Sequence, residues 1–414
     1  VDSIKTITTQ IVVNTDVKIE ETLDKAIEFI MRGHIVLFID SEKECIAFGV
    51  QKIPNRAIEQ ADTEVQETGS REGFVESLKI NVALVRKRMI TTDMKIELMN
   101  VGKTSNTNAA IFYMNQKVEK SLVEEVKRRI ANVKSDIVLD PKYFRKCLDT
   151  EEKSIFSMVG DTERPDVLCT KINEGKVAVL VDGSPYALTV PHFFIENFQT
   201  LDDYLNRGYF ASMMRMLRML CFIISITLPS IYVAVGLFHQ EIFPDYMLYS
   251  IVMSESSTMF PLMIEALVII FIYEIVREAG LRMPKSVGQA VSLVGAIVIG
   301  DAAVTAGLIG APMLIIVAIT AISSFMVSNL YQPVSLLRFV FIIIGGTTGL
   351  YGIVIGIGTL IINMCSLDQY GSAYLAPLVP FNRTLFRDTF LRTSGALDSK
   401  YLYNVGKQKK SKKR

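Results

Sequence analysis

The chain has 414 residues, of which half are hydrophobic and only 21% are charged, and its 44 basic and 43 acidic residues give a formal charge of +1. This composition excludes a disordered chain, and five scattered cysteines argue against a disulfide scaffold or a zinc ribbon. The near-neutral balance hides an asymmetry, because residues 407–414 hold six basic residues and no acidic one. The first 200 residues have the charge content of a soluble protein, so the scarcity of charge lies in the second half.

The first half of the chain predicts a soluble α/β (α+β) domain. Apolar residues at helical spacing predict a helix over 17–31, and the charged amphipathic stretch 117–133 predicts another. Three apolar runs predict buried strands, at 34–39, 109–114 and 176–181.

Composition divides the chain into four parts. We assign residues 1–65 to the first lobe of the soluble domain and 66–205 to its second lobe. The polar, acidic stretch 60–73 is the connection between the lobes. Residues 206–380 form an all-α transmembrane domain, and 381–414 form a basic C-terminal tail.

Five apolar stretches predict transmembrane helices in the second half. They lie at 216–238, 259–276, 287–309, 312–330 and 339–364. Between 286 and 337 the only charged residue is Asp301. About 20 apolar residues with almost no charge are typical of a membrane span, whereas a soluble core rarely needs several such stretches in succession.

The distribution of basic residues predicts the orientation of these spans. Arginines cluster around the start of the first span, at Arg207, Arg215 and Arg218, while the loop 238–260 is acidic. The soluble domain is therefore expected in the cytoplasm. Five spans would then place the basic tail outside, against the same rule. Either the tail does exit, or one segment, such as the second with its two glutamates, fails to cross, so four and five spans both remain open.

Three carboxylates in the apolar half are candidates for ion handling: Asp301, Glu265 and Glu274. A charged group at the bilayer centre costs about 3 kcal/mol unless it is paired or hydrated. Asp301 fits either a cation-attracting position in a pore or a position at the outer interface. Glu265 and Glu274, nine residues apart, are expected on opposite helix faces, and Arg277 is spaced to pair with Glu274.

Small residues recur at helical spacing in two of the predicted spans. The first set is Ala296, Gly300, Ala303 and Gly307, and the second is Gly345, Gly349, Gly352 and Gly356. Each set is expected on one helix face, where small side chains let backbones approach closely. Packing within one chain and an oligomer interface or pore wall are both compatible with this pattern.

The sequence has no complete motif for catalysis, metal binding or cofactor binding. Gly102–Ser105 has the end of a phosphate-binding loop, but Glu97 stands where the leading glycine is needed. No HExxH or GxSxG occurs, and the three histidines lie far apart in sequence, which argues against a catalytic triad. We predict no enzyme activity, metal or cofactor, and we assign the basic tail to lipid or topogenesis rather than to nucleic acid.

Long motifs in a fixed order resemble a known family. GSREGFVESLKINVALVRKRM (69–89), TERPD (162–166) and VAVLVDGSPYALTVP (177–191) resemble the A subunit of GerA-type spore germinant receptors. In the apolar half, PSIYVAVGLFHQE and EIVREAGLRMPKSVGQAVSLVGAIVIGDAAV continue the resemblance. It covers nearly all of the chain, and the stage V sporulation AF proteins share these motifs.

The resemblance implies a multi-pass protein of the spore inner membrane that signals in spore germination. It implies assembly with a permease-like B subunit and a lipoprotein C subunit. It also implies a homo-oligomer that forms a gated channel for monovalent cations, opened when a nutrient germinant binds. The alternatives are a secondary transporter and a membrane scaffold without a pore.

The soluble-domain motifs supply further candidate residues. They are Arg71, Glu72, Gly73, Phe74, Glu163, Arg164, Pro165, Asp166, Asp182 and Gly183. Glu72, Arg164 and Asp182 are candidates for assembly contacts. Structural roles are favoured for them because turn-forming residues accompany them.

Overall fold

The computed structural model describes most of the chain and divides it into two units. The described residues are 17–40, 43–49, 64, 69–133, 135–149, 154–283, 300–379 and 389–390. The first unit contains the described residues up to Phe193 together with Asp368–Ala376. The second contains Phe194–Leu367 and the described residues after 376.

A small antiparallel sheet begins the first unit. Its elements are β1 (Val17–Glu20), α1 (Leu23–Met31), β2 (Ile35–Phe38) and β3 (Cys45–Phe48), with strand order β1-β3-β2. The prediction at 34–39 is confirmed as a strand but is wrong about burial, since Ile35 and Phe38 are 59% and 57% exposed. The predicted helix over 17–31 is wrong in its first residues. Residues of β1 pair with the wholly buried β3 and satisfy their backbone groups there, so the helix begins only at Leu23.

A five-stranded antiparallel sheet forms the main part of the first unit. Its strands follow the order β4-β5-β7-β8-β6. The elements are α2 (Leu78–Arg88), β4 (Met94–Val101), β5 (Thr107–Met114), α3 (Lys120–Ala131), α4 (Lys142–Leu148), β6 (Gly160–Thr162), α5 (Pro165–Asn173), β7 (Val177–Val181) and β8 (Ala187–Val190). The predicted strands at 109–114 and 176–181 and the predicted helix at 117–133 are confirmed.

Alternating side chains of the central strand β7 explain the three layers of this domain. Val177, Val179 and Val181 pack in one core with residues of α3 and α4. Ala178 and Leu180 pack in the opposite core with residues of α2 and α5. Because successive side chains of a strand point to opposite faces, one fully apolar strand supplies both cores.

A segment from the far end of the chain also belongs to the first unit. It forms a hairpin of β9 (Asp368–Gln369) and β10 (Ser372–Ala373). The Tyr370 hydroxyl donates to the Leu148 carbonyl at 2.8 Å, and the Arg129 guanidinium lies 4.6 Å from the Tyr370 ring centroid. Tyr374 is buried against Phe156. This segment lies within residues 206–380, which the composition assigns to the transmembrane domain, whereas its contacts place it in the first unit.

The second unit is helical. Its helices are α6 (Asp202–Leu205), α7 (Gly208–Phe238), α8 (Asp245–Glu255), α9 (Leu262–Arg282), α10 (Gly300–Thr305), α11 (Ala311–Phe325) and α12 (Tyr331–Ser366). In the described part of the chain, α7 and the stretch 328–366 are long and apolar enough to cross a membrane, and α11 is a shorter apolar helix. Most of the predicted third span lies outside the described residues.

The long helix α12 reverses direction at Gly349. The backbone there has φ 67° and ψ −156°, a conformation almost confined to glycine. A Cβ placed on Gly356 would lie 3.2 Å from Phe341 Cε1, whereas a straight helix would separate these residues by about 22 Å. Residues 331–348 and 350–366 are therefore two antiparallel arms, and the predicted single segment 339–364 is wrong in this respect.

The first arm of α12 runs alongside α7 in the same direction. Arg338 Nε donates to the Ser225 carbonyl at 2.9 Å, and a Cβ on Gly345 would lie 2.6 Å from the Ser230 carbonyl. The reversal at Gly349 adjoins Phe238, the last residue of α7. The second arm then returns the chain toward the level at which the first arm began.

Candidate functional site

The buried arginine of the TERPD motif is fully paired. The Arg164 side chain is 3% exposed, and its Nε and Nη2 donate to the Asp166 carboxylate at 3.1 and 2.6 Å. Nη2 also donates to the Ser70 carbonyl at 2.9 Å, and Nη1 donates to the Glu64 carbonyl at 3.4 Å. Every nitrogen of this guanidinium therefore has an acceptor, so burial of the charge is compensated.

Glu72 binds basic residues of its own motif. It forms an ion pair with Arg88, and Lys87 Nζ lies 3.5 Å from its second oxygen. Arg88 also donates to Ser70 Oγ at 3.0 Å. The sequence pattern did not single out Arg88 or Ser70, although both lie in the run 69–89 that carries the resemblance.

The rest of this segment is held by backbone contacts. Gly73 and Phe74 are buried, and the Phe74 amide donates to the Glu163 carbonyl at 2.7 Å. Pro165 occupies the first turn of α5, where its missing N–H costs nothing. Arg71 alone among these residues is exposed.

Asp182 and Gly183 connect the turn after β7 to the start of α2. Asp182 Oδ1 accepts the amide of Leu78, the first residue of α2, at 2.8 Å. Gly183 has φ 93° and donates its amide to the Glu76 carbonyl at 2.7 Å. A carboxylate at a helix N-terminus satisfies a free N–H and interacts favourably with the helix dipole. The structure thus brings the three soluble-domain motifs together around residues 69–78.

A second polar group of the soluble domain lies on the edge strand β4. Glu97 accepts hydrogen bonds from Lys127 and Tyr113, and this lowers the pKa of its carboxyl below the ordinary value. Burial, reinforced by Glu97, raises the pKa of Tyr113 to about 12. Both residues thus keep their ordinary charges at neutral pH.

In the helical unit, Glu274 is surrounded by donors. Its carboxylate accepts hydrogen bonds from Tyr331 and from Ser335 Oγ, the latter at 2.8 Å. Arg277 Nη1 and Arg338 Nη1 each lie 3.6 Å from it. The predicted pairing with Arg277 is confirmed. These contacts occupy the carboxylate, so in this conformation it is not free to bind a cation.

Glu265 lies apart from Glu274 and is 1% exposed. Its Oε1 accepts the Gly310 amide at 2.7 Å, at the N-terminus of α11. Its Oε2 is buried and has no hydrogen-bond partner among the described residues. Glu265 therefore joins α9 to α11, while Glu274 joins α9 to α12.

Asp301 is the exposed carboxylate of the three. It lies in the first turn of α10 and makes no hydrogen bond or ion pair with a described residue. The structure does not bring Asp301, Glu265 and Glu274 into one site.

The described members of the first set of small residues do not all lie on one helix face. Ala296 lies outside the described residues. Gly300 and Ala303 are buried in α10, and a Cβ on Gly300 would meet Leu314 at 3.5 Å. Gly307 has φ 67° and follows the end of α10, so the expectation of a continuous face is wrong there.

The second set straddles the reversal in α12. Gly345 and Gly349 lie at the end of the first arm, where they adjoin α7, and Gly352 and Gly356 lie on the second arm. A shared face is wrong here because the chain turns at Gly349. The expectation of close backbone approach holds at Gly345, where a Cβ would collide with the Ser230 carbonyl.

Sequence reasoning missed Arg338. Its side chain is 0% exposed and lies in the first arm of α12. The sequence does mark this residue. Residues 302–337 and 339–366 contain no charge, and Arg338 is the one charged residue between these two stretches.

No group of three or more His, Cys, Asp and Glu side chains that could hold a metal ion occurs in the described ranges.

Burial raises the pKa of the Cys169 thiol to about 12, so this cysteine stays protonated.

Comparisons with known proteins give a consistent result. Residues 2–400 match the family described as Bacillus/Clostridium GerA spore germination protein. The chain is 37% identical over 396 residues to Spore germination protein KA of Bacillus subtilis (strain 168), covering 95% of this chain and 73% of that protein. It is 35% identical over 378 residues to Spore germination protein GerQA of Bacillus cereus, covering 91% of this chain and 76% of that protein.

A solved structure is also similar. The N-terminal domain of the A subunit of the Bacillus megaterium spore germinant receptor GerK3 is 25% identical to this chain. The match covers 43% of this chain and 64% of that structure, with a TM-score of 0.33.

Proposed function

The chain belongs to the GerA family of spore germination proteins, and we propose that it is an A-type membrane subunit of a nutrient germinant receptor. In this role it oligomerises in the spore inner membrane and forms a gated path for monovalent cations. The named relatives are spore germination proteins, which supports the role in germination. The proposals of a cation path and of an oligomer are argued from features of the helical unit.

The exposed carboxylate of Asp301 carries the proposal of a cation path. It lies on the surface of the helical unit, with no partner among the described residues and with apolar sequence on either side. Facing lipid, such a charge costs about 3 kcal/mol. Facing a water-filled path between copies of the chain, it stays hydrated and attracts cations. The second environment removes the cost, so we assign Asp301 to the wall of the path.

The membrane topology follows from which chain segments share the soluble unit. The chain enters the helices after Phe193 and leaves them at Asp368. The segment before the helices and the segment Asp368–Ala376 after them both belong to the first unit. A soluble unit lies on one side of a membrane, so we propose an even number of crossings for the helices between these two segments. The reversal at Gly349 supplies a return pass, and the basic tail then follows a cytoplasmic segment, in agreement with the distribution of Lys and Arg.

Assembly with a permease-like B subunit and a lipoprotein C subunit is part of the proposed role. The B subunit binds the germinant, and this chain responds by shifting from a closed to an open state. The small-residue contacts at Gly300 and Gly345 pack helices within one chain, which leaves other surfaces of the helical unit for partners.

A secondary transporter is the second candidate, and the interrupted helices favour it. Transporters bind substrates where helices break in the membrane, and this chain has positive-φ breaks at Gly307 and Gly349. A scaffold without a pore is the third candidate, and it predicts no flux.

Ion flux through the full-length protein in liposomes tests the proposal. Wild type is compared with Asp301→Asn, which removes the charge and keeps the size, and with the matched control Asp245→Asn at the exposed start of α8. We expect monovalent-cation flux in wild type, a severalfold loss in Asp301→Asn and no loss in the control. Gly300→Leu, which would press on Leu314, is expected to reduce flux as well.

Three results would contradict the proposed path. Flux that is absent in wild type favours the scaffold. Flux that responds equally to both Asp substitutions removes Asp301 from the path. Saturable uptake of one organic solute in place of ion flux favours the transporter.

A further inference from the structure

A proline in α7 explains why an arginine is buried in the helical unit. Pro229 has no N–H, so the carbonyl four residues earlier, that of Ser225, loses its usual partner within the helix. Arg338 Nε donates to this carbonyl at 2.9 Å. One nitrogen of Arg338 thus restores the hydrogen bond that the proline removes.

The other two nitrogens of the same guanidinium are unsatisfied. Arg338 is 0% exposed, and neither Nη1 nor Nη2 has a hydrogen-bond partner among the described residues. The nearest carboxylate oxygen, Glu274 Oε1, is 3.6 Å from Nη1, which is too long for a hydrogen bond. Buried charged donors without acceptors are costly, so binding of an acceptor by these two nitrogens would be favourable.

A third donor, on a residue whose ring lies near Arg338, also lacks a partner. The Tyr273 hydroxyl is buried and unpaired within the part of the chain that the structure describes. Its ring centroid lies 5.8 Å from Cζ of Arg338. A phenol donates as readily as it accepts, so it can join the guanidinium in binding one acceptor.

The charges of the cluster favour an anion as that acceptor. Two guanidinium groups, of Arg277 and Arg338, face the single carboxylate of Glu274. That carboxylate already accepts from Tyr331 and Ser335. The cluster therefore has one more positive than negative charge. Arg277 and Glu274 are 22% and 19% exposed, whereas Arg338 is fully buried, so its charge lies where a water molecule can accept hydrogen bonds but cannot neutralise it.

We propose that Arg338 Nη1 and Nη2, with the Tyr273 hydroxyl, bind a small monovalent anion of the chloride class between α7, α9 and the first arm of α12. The complete burial of Arg338 restricts the ligand to a single small ion. A bound anion neutralises the cluster and ties the three helices together. The site is independent of cation conduction, since none of its residues belongs to the path assigned to Asp301.

Halide-dependent stability of the full-length protein in detergent tests the site. Thermal unfolding is followed as sodium gluconate is replaced by sodium bromide at constant ionic strength. We expect the Tm of wild type to rise and saturate with bromide, because a ligand that binds only the folded state stabilises it. Arg282→Gln, which removes an exposed arginine paired with Glu278, is the matched control and should keep this response.

Two substitutions at the site separate binding from folding. Arg338→Gln should abolish the bromide response. Tyr273→Phe keeps the guanidinium and its bond to Ser225, so it should fold, and it should weaken bromide binding about fivefold to tenfold. Anomalous diffraction at the bromine edge should give a peak beside Nη1 and Nη2 of Arg338.

The proposal fails on any of three results. The first is a wild-type Tm that is indifferent to bromide at constant ionic strength. The second is a bromide response that persists in Arg338→Gln and is unchanged in Tyr273→Phe. The third is density for water alone, without an anomalous peak, beside the guanidinium.

Discussion

Two buried arginines, one in each unit, differ in how their charge is compensated. Arg164 in the soluble unit donates from all three nitrogens to Asp166 and to two backbone carbonyls. Arg338 in the helical unit donates from one nitrogen only, to the Ser225 carbonyl. The first arginine closes a network and so has a structural role, whereas the second retains binding capacity in an apolar environment.

Substitution of each arginine should give the largest difference in unfolding free energy between the structural role of Arg164 and the binding role of Arg338. Arg164→Met leaves Asp166 and two carbonyls without their donor, so we expect the first unit to lose about 3–5 kcal/mol of unfolding free energy. Arg338→Met in halide-free buffer orphans one carbonyl but also removes two unsatisfied donors, so we expect a loss of about 1 kcal/mol. Denaturant unfolding of the full-length protein, followed by hydrogen exchange in each unit, measures both. Equal losses would contradict the distinction.

The reversal in α12 gives the next largest effect. Gly349→Ala forces a side chain into a backbone conformation reserved for glycine and brings a Cβ to 3.2 Å from Phe238, so we expect a cost of about 1–3 kcal/mol. Gly358→Ala is the control on the second arm, because a Cβ there meets nothing within 4 Å. Thermal unfolding in nanodiscs should show a lower Tm for the first variant only. Equal Tm values would argue against the hairpin.

The helix cap from Asp182 should have a smaller effect within the soluble unit. Asp182→Ala removes the acceptor for the Leu78 amide and should cost about 1 kcal/mol, while Asp182→Asn keeps an acceptor and should cost only a few tenths. Hydrogen exchange at the start of α2 reports the difference directly. If Asn were as damaging as Ala, a role of the charge beyond capping would be required.

The weakest effect is expected at the surface ion pair of Glu97. Its pKa is lowered in the folded state, so its contribution is present above the ordinary carboxyl pKa and is lost as pH falls through the folded value. Because the group is largely exposed, Glu97→Gln should cost about 0.5 kcal/mol or less at neutral pH and nothing in acid. Unfolding free energies of both proteins between pH 3 and 7 should therefore converge as pH falls. A difference that grows in acid would reverse the assigned sign.

Local pattern predicted much of the soluble unit but not its connections. The apolar run of β7 was recognisable because a strand buried on both faces is continuously hydrophobic. The strand β1 was not predicted, because the spacing of its apolar residues also fits a helix. Its pairing with β3, which is distant in sequence, makes it a strand. Contacts over long sequence separations, such as Asp182 with Leu78, carry no local signal.

In the helical unit the sequence predicted helices but not their directions. The glycines of α12 have regular helical spacing, and nothing in that spacing indicates that Gly349 adopts φ 67°. Glu274 was recognised as an expensive charge, while Arg338, which approaches it from another helix, was not. Asp301 was recognised because it stands alone in an apolar stretch, and the structure leaves it exposed.

The return of the chain to its soluble unit is the central claim, and site-directed labelling tests it most directly. Single cysteines are introduced at Lys103 in the soluble unit, at Tyr351 beside the reversal and at Asp368, all exposed, with Cys147, Cys169 and Cys365 replaced by serine. A membrane-impermeant maleimide is then applied from each side. We predict that positions 103 and 368 label from the same side and position 351 from the opposite side. Labelling of 103 and 368 from opposite sides would contradict the even number of crossings and the topology built on it.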